Sequence, residues 1–170
     1  VNSVLGGNGD STYTLEGYKL YQVTSSKVSA TDLEDPTKAL LVAQVDVKNG
    51  IANIVNVVKD NTLGMFVPVL KVEGKNEGIT NSFRITEDLF ATGANKKLVN
   101  HKTYYFTAIA YAHNDWRTYN QNNPQQDAQL TPYLQGRGNF KIYSAIPHIA
   151  DPRNNGTVLN SEWGEGVEVK

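Results

Sequence analysis

The sequence predicts an all-β sandwich, and three observations predict it. Apolar residues recur with period two in several short runs, the alternation expected of strands with two distinct faces. The chain is rich in Asn, Gly, Thr and Tyr, a composition that favours strands and turns over helices. No long helical pattern stands between the runs, so strands must pack on strands. At 170 residues with 39% apolar content, the chain suffices for one domain with a core, with or without tails.

The elements follow in order. Residues 1–14, VNSVLGGNGDSTYT, read as a loop or the end of a preceding segment, because GGNGD is too flexible for a strand interior. EGYKLYQV (16–23) is a strand with Tyr18 and Leu20 on one face and Tyr21 and Val23 on the other. In SSKVSATDLEDPTKA, Thr31 or Asp32 can cap one helical turn before Pro36. LLVAQVDVKNG (40–50) alternates Leu41, Ala43, Val45 and Val47 against Gln44, Asp46 and Lys48, and Asn49-Gly50 is a hairpin signal. IANIVNVVKD (51–60) places Ile51, Ile54, Val55 and Val58 on a helical stripe, but its β-branched content favours a strand. MFVPVLKVEG (65–74) carries Pro68, which suits an edge strand. ITNSFRITEDLF (79–90) reads as a strand through Phe83 and Ile85 that runs into a turn.

LVNHKTYYFTAIAYAHNDW (98–116) is the densest strand signal. Tyr104, Phe106, Ala108 and Ala110 share one face, expected to meet the core. Tyr105, Ile109 and Tyr111 share the other, expected to be covered by the 112–138 segment or by a partner chain. Residues 112–138 form a connection far longer than a hairpin loop. FKIYSAIPH (140–148) is the last strand, and 149–170 reads as a linker or tail towards a following domain.

Composition also limits function. The net charge of −1 and pI near 6.3 argue against a nucleic-acid surface. The absence of cysteine excludes disulfides and Cys-based zinc sites, and no apolar run is long enough to span a bilayer. The chain starts without Met and without a signal-peptide pattern, which reads as a mature form or a piece of something longer. No nucleophile elbow, P-loop or dinucleotide fingerprint is present, so the chain reads as non-catalytic with no cofactor.

Three weaker metal signals and one loop set remain. Asp32, Glu34 and Asp35 put oxygen donors in one turn, a candidate calcium site that lacks the EF-hand pattern. GGNGD (6–10) touches a calcium-binding repeat with its Asp displaced by one position. His113, followed by Asn114 and Asp115, is either a loop metal ligand or the close of a strand. Trp116, Arg117, Tyr119 and Tyr133, with Asn120 and Gln121, form a polar and aromatic loop set suited to sugar stacking, a protein contact or a lid over the sandwich.

Around Leu98 the pattern is Leu-x5-Tyr, then Tyr-x-Phe-x-Ala-x-Ala from 104 to 110. This resembles the approach to strand F in fibronectin type III domains. EGYKLYQV resembles strand C of that family, and FKIYSAIPH fits strand G. The resemblance covers residues 15–148 and implies a fibronectin-III/immunoglobulin-like β-sandwich with a long F–G connection. The family's strands A and B, with an inward Trp on B, have no counterpart here, since Trp116 and Trp163 lie elsewhere. The expected fold is therefore a sandwich lacking its first hairpin. The gap would be filled by other domains of the same parent protein or by a partner chain.

The blocks EGYKLYQV, DLEDPTKALLVAQVDVKNGI, ITNSFRITEDLFATGANKKLVNHKTYYFTAIAYAHN, GRGNFKIYSAIPH and NNGTVLNSEWGEG, in this order, are similar to large secreted proteins of the Bacteroidetes phylum, commonly exported by the type IX secretion system. That resemblance implies a structural module at the outer surface of a Gram-negative bacterium or outside it. Secretion or surface-assembly components are the further partners it implies. A carbohydrate-binding module built on the loop aromatics and an accessory domain of a secreted hydrolase are the alternatives.

Overall fold

The computed structural model describes residues 12–114, 122, 129–138 and 140–148. The expected tail at 149–170 and most of the leading loop lie outside them. Among the described residues seven strands follow one another: β1 (Thr14–Val23), β2 (Ala39–Asp46), β3 (Asn53–Asp60), β4 (Met65–Glu73), β5 (Tyr104–His113), β6 (Tyr133–Gln135) and β7 (Ile142–Ala145). A single 3₁₀ turn spans Ala30–Glu34. The fold is all-β, and every strand pairing is antiparallel.

The larger sheet runs β2-β1-β5-β6, with β7 also paired to β5. β3 and β4 form a separate hairpin. β6 and β7 share one edge of β5. β6 pairs with Tyr111–His113 and β7 with Tyr104–Thr107. Between Tyr111↔Gln135 and Thr107↔Ile142 there are four steps along β5 but seven along its partner. The three extra residues, between Gln135 and Ile142, bulge out between two strands that share this edge.

The hairpin lies on one face of the large sheet and makes the core there. Ile54 and Val72 pack on Tyr111 and Tyr133, whose rings meet at 5.7 Å and 34°. Val23, Val28, Leu33, Ala39 and Ile109 form a second cluster, with Phe140 and Ile142 against it. Ser29 caps the 3₁₀ turn, its N–H donating to the Asp32 carboxylate at 2.9 Å, and so aims Leu33 inward.

Polar bonds seat the hairpin. Asn56 Oδ1 accepts from Tyr133 N–H at 2.8 Å, and Asn56 Nδ2 donates to the Tyr133 carbonyl at 3.2 Å. One side chain thus reproduces a backbone pairing. Val57 N–H donates to the Leu130 carbonyl at 2.7 Å, and Gln44 Nε2 to the Glu73 carbonyl at 2.8 Å. Gly17 faces Tyr111 across the ladder, and a Cβ there would collide with the Val45 carbonyl oxygen and the Tyr111 phenol. The missing side chain lets the Tyr111 hydroxyl reach the Val45 carbonyl at 3.1 Å.

Several expectations are corrected. Asn49-Gly50 does turn the chain, with Gly50 at φ 91°, but β2 and β3 do not pair. The turn passes the chain from one sheet to the other because Asn49 and Gly50 N–H groups are held by Asn76 Oδ1, both at 2.9 Å. Residues 79–86 are not a strand. They pair with no described strand, Phe83 is exposed, and Glu87 and Lys97 beyond them form an isolated bridge. The cap of the helical turn is Ser29, not Thr31 or Asp32. The expected strands at 16–23, 40–47, 51–60 and 65–74 are present within a few residues, and Pro68 sits on β4, which pairs only with β3.

The two faces of β5 are the largest correction. Thr107, Ile109 and Tyr111 are 0%, 3% and 1% exposed, so theirs is the covered face. The cover among the described residues is chiefly the β3–β4 hairpin and the 3₁₀ region, with Tyr133 joining it from the 112–138 segment. Tyr104 is buried, but Ala108 on the same face is exposed.

Candidate functional site

The face of the large sheet opposite the hairpin is built from β1, β2, β5 and β7. Register places Tyr18 and Leu20 beside Val45 and Ala43 on one side, and beside Ala110 and Ala108 on the other. Phe106 and Tyr143 continue it. Tyr18 is 37% exposed and Tyr143 58%, and Ala108 is exposed. No strand residue on this face carries a charge. Lys141, just outside β7, marks the margin with its ammonium 5.1 Å from the Tyr143 ring centre. An apolar sheet face of this extent is normally covered.

The face has relief. A hollow of about 440 Å³ at the β5 edge is lined by Tyr18, Ala108 and Ala110 of this face, by Gly136 and Gly138 of the bulge, and by Ile109 and Phe140 from the covered side. Gly136 N–H donates to the Ala110 carbonyl at 2.9 Å and keeps the bulge attached beside this hollow. At the other end the loop before β5 is tied down. Asp88 Oδ1 accepts from Gln22 Nε2 at 2.7 Å, and Asp88 Oδ2 from Lys102 at 2.9 Å. Burial pushes the Asp88 carboxyl up, but Lys102, Gln22 and the Phe90 N–H outweigh it and hold the group below its ordinary range. Val99 N–H donates to the Tyr104 hydroxyl at 2.8 Å, closing a corner five residues long.

The sequence candidates fall elsewhere. Tyr111, Tyr133 and Ile109 are core, and Tyr105 packs half-buried against it, so these four are withdrawn from the interaction surface. Trp116, Arg117 and Tyr119 lie outside the described residues, as does GGNGD. The three acidic residues of the 3₁₀ region each have their own donors: Asp32 takes Lys38 at 2.6 Å, Asp35 takes the Thr37 hydroxyl at 2.6 Å, and Glu34 takes Lys71 at 2.8 Å. Those bonds hold all three carboxyls below their ordinary range. Among the described residues no cluster of three His, Asp or Glu side chains is placed to hold a metal. His113 ends β5, and Asn114 beside it donates to the Thr12 carbonyl at 2.8 Å.

One buried charge escaped the sequence reading. Lys19 lies inside, between the sheets, with its ammonium 4.9 Å from the Tyr133 ring centre and 5.8 Å from that of Tyr111. It donates to the Lys71 carbonyl. Burial, with the Lys71 charge adding to it, pulls its pKa down to about 8. A lysine in an alternating strand reads as solvent-facing, and nothing local marks this one as enclosed. Its contacts make it a clamp between the sheets.

Fold and face together define the class: an antiparallel, sandwich-like all-β domain with one apolar sheet face uncovered among the described residues. Comparison with known protein families, with curated proteins and with solved structures finds no match. No helix of the described residues is long and apolar enough to cross a membrane.

Proposed function

We propose that this chain is a non-catalytic, fibronectin-III-like structural and interaction module of a secreted or cell-surface bacterial protein. It acts by docking its uncovered sheet face onto another domain of the same parent or onto a partner chain. The observation that carries the reading is that face: apolar, uncharged across four strands, and open except at the end where the Asp88 loop closes over Gln22 and Tyr104. Two details support the family. The order β2-β1-β5-β7 follows the C′-C-F-G order of such sandwiches, and the open face is the one on which their other sheet lies. The Tyr104 hydroxyl bonded back to Val99 has the form of the tyrosine corner that opens strand F.

The test is a charge placed on the open face. Ala108→Glu should leave the far-UV circular dichroism unchanged and the melting temperature of the chain within about 2 °C at about 1 µM chain. A variant that fails to fold would mean that the face is internal core, and the docking reading would fall.

A further inference from the structure

The open face has a pattern beyond its hydrophobicity. Two neighbouring cross-strand pairs between β1 and β5 join a large residue to a small one, Tyr18 to Ala110 and Leu20 to Ala108, while the next pair on this face, Gln22 to Phe106, joins two large ones. The asymmetry extends outward. Val45 flanks Tyr18 on the β2 side, while Gly136 flanks Ala110 on the other. Around these two pairs the face is high over β1 and low over Ala108, Ala110 and the bulge, with the step running along the line between β1 and β5; it rises again at Phe106 and Tyr143.

Such a face is its own complement. A two-fold axis parallel to the strands, along the β1–β5 line, lays β1 of one copy over β5 of the other. Tyr18 then stands on the partner copy's alanine floor at position 110, and Leu20 over position 108, twice by symmetry. The hollow beside Ala110 has room for a tyrosine ring. Because no strand residue of the face is charged, stacking it on itself brings no like charges together. Four strands at about 4.8 Å spacing and eight residues at about 3.3 Å rise give a footprint of about 500 Å². Two copies together would bury about 1,000 Å² or more, the lower bound for a specific interface.

We infer that the occupant of the open face is a second copy of this chain, stacked sheet on sheet with Tyr18 and Leu20 of each over Ala110 and Ala108 of the other. The inference rests on the docking reading above and names the partner. An interface at this low end of the size range belongs with weak, transient complexes, so the dimer is expected to dissociate in the micromolar range, at about 10 µM.

Sedimentation equilibrium on the whole chain tests it. The expected mass is twice 18.7 kDa at about 200 µM and falls to the single-chain value at about 1 µM. Leu20→Glu alone and Ala108→Lys alone should each keep wild-type circular dichroism and remain single chains at both concentrations. Mixing the two in equal amounts should restore the doubled mass, because the carboxylate introduced at position 20 of one variant then lies over the ammonium introduced at position 108 of the other. A wild-type chain that stays single at about 200 µM, with folded variants, overturns the two-copy proposal and leaves a different β-sheet as the occupant. A doubled mass that neither substitution changes, or a mixture that does not recover, overturns this face or this axis. Loss of fold in both variants overturns the proposal and the docking reading together.

Discussion

The two faces of β5 differ by one residue of register and meet opposite surroundings. Thr107, Ile109 and Tyr111 look onto the β3–β4 hairpin and the 3₁₀ region and are closed off from water. Phe106, Ala108 and Ala110 look onto none of the described strands. Both faces are apolar, so apolarity alone does not say which is core. The covered face is also the more polar of the two. It carries Lys19, Thr107 and Asp46, each given a partner by the packing: the Lys71, Lys141 and Asn76 backbones in turn. An inward polar residue is stable only where such a partner is in place.

The contrast breaks most sharply at Tyr111. Tyr111→Ala should cost about 4 kcal/mol in a urea titration, since it empties the site between Ile54, Val72 and Tyr133. A loss no larger than that of Ala108→Glu would show that the covered face is not core. Gly17→Ala should cost about 3 kcal/mol, because its methyl meets a backbone carbonyl that cannot yield. Gly138→Ala, with nothing within 4 Å, is the control and should change stability by less than about 0.5 kcal/mol.

Asn56→Ala should cost about 2 kcal/mol, because it orphans a buried N–H and carbonyl of residue 133 at once. Hydrogen exchange should show the hairpin released before the large sheet. Equal protection of both would remove the role of Asn56 as the fastener.

Lys19 sharpens the comparison through pH. Its folded pKa of about 8 lies below the usual lysine value, so between them the unfolded chain binds more protons and stability rises with pH. The tyrosines oppose this at higher pH. Burial raises the Tyr111 and Tyr133 phenols, so the unfolded tyrosines ionise first and stability falls above about 10. A maximum between about pH 8 and 10 is expected, with a rise of about 1 kcal/mol before it. Lys19→Met should abolish the rise, and an unchanged rise in that variant would assign it to another group. The smallest effect is expected at the corner. Tyr104→Phe should cost about 1 kcal/mol, and a neutral result would mean that the Val99 bond is replaced by water.

Much of the fold was legible because strands leave a period-two trace. β1, β2 and β5 show it, β3 was read from its β-branched content instead, and Pro68 marked β4 as an edge. β6 was not legible, since three residues carry no period. The false strand at 79–86 shows the reverse failure: alternation alone, without a paired partner, makes no ladder. The site was half legible. Tyr104, Phe106, Ala108 and Ala110 were grouped together on sequence grounds, but as core. The exposure of Ala108 follows from the hairpin lying on the other face. The step of large against small residues is invisible until register sets Tyr18 beside Ala110 and Leu20 beside Ala108.

The sequence by itself determined the secondary structure class, the positions of the longer strands and which residues share a face, because backbone alternation and turn chemistry are local properties. Only the tertiary structure decided which face is inside. That choice depends on where Asn56, Lys19 and Gln44 fasten the hairpin, through bonds between residues 29 to 77 positions apart, hence beyond any local pattern.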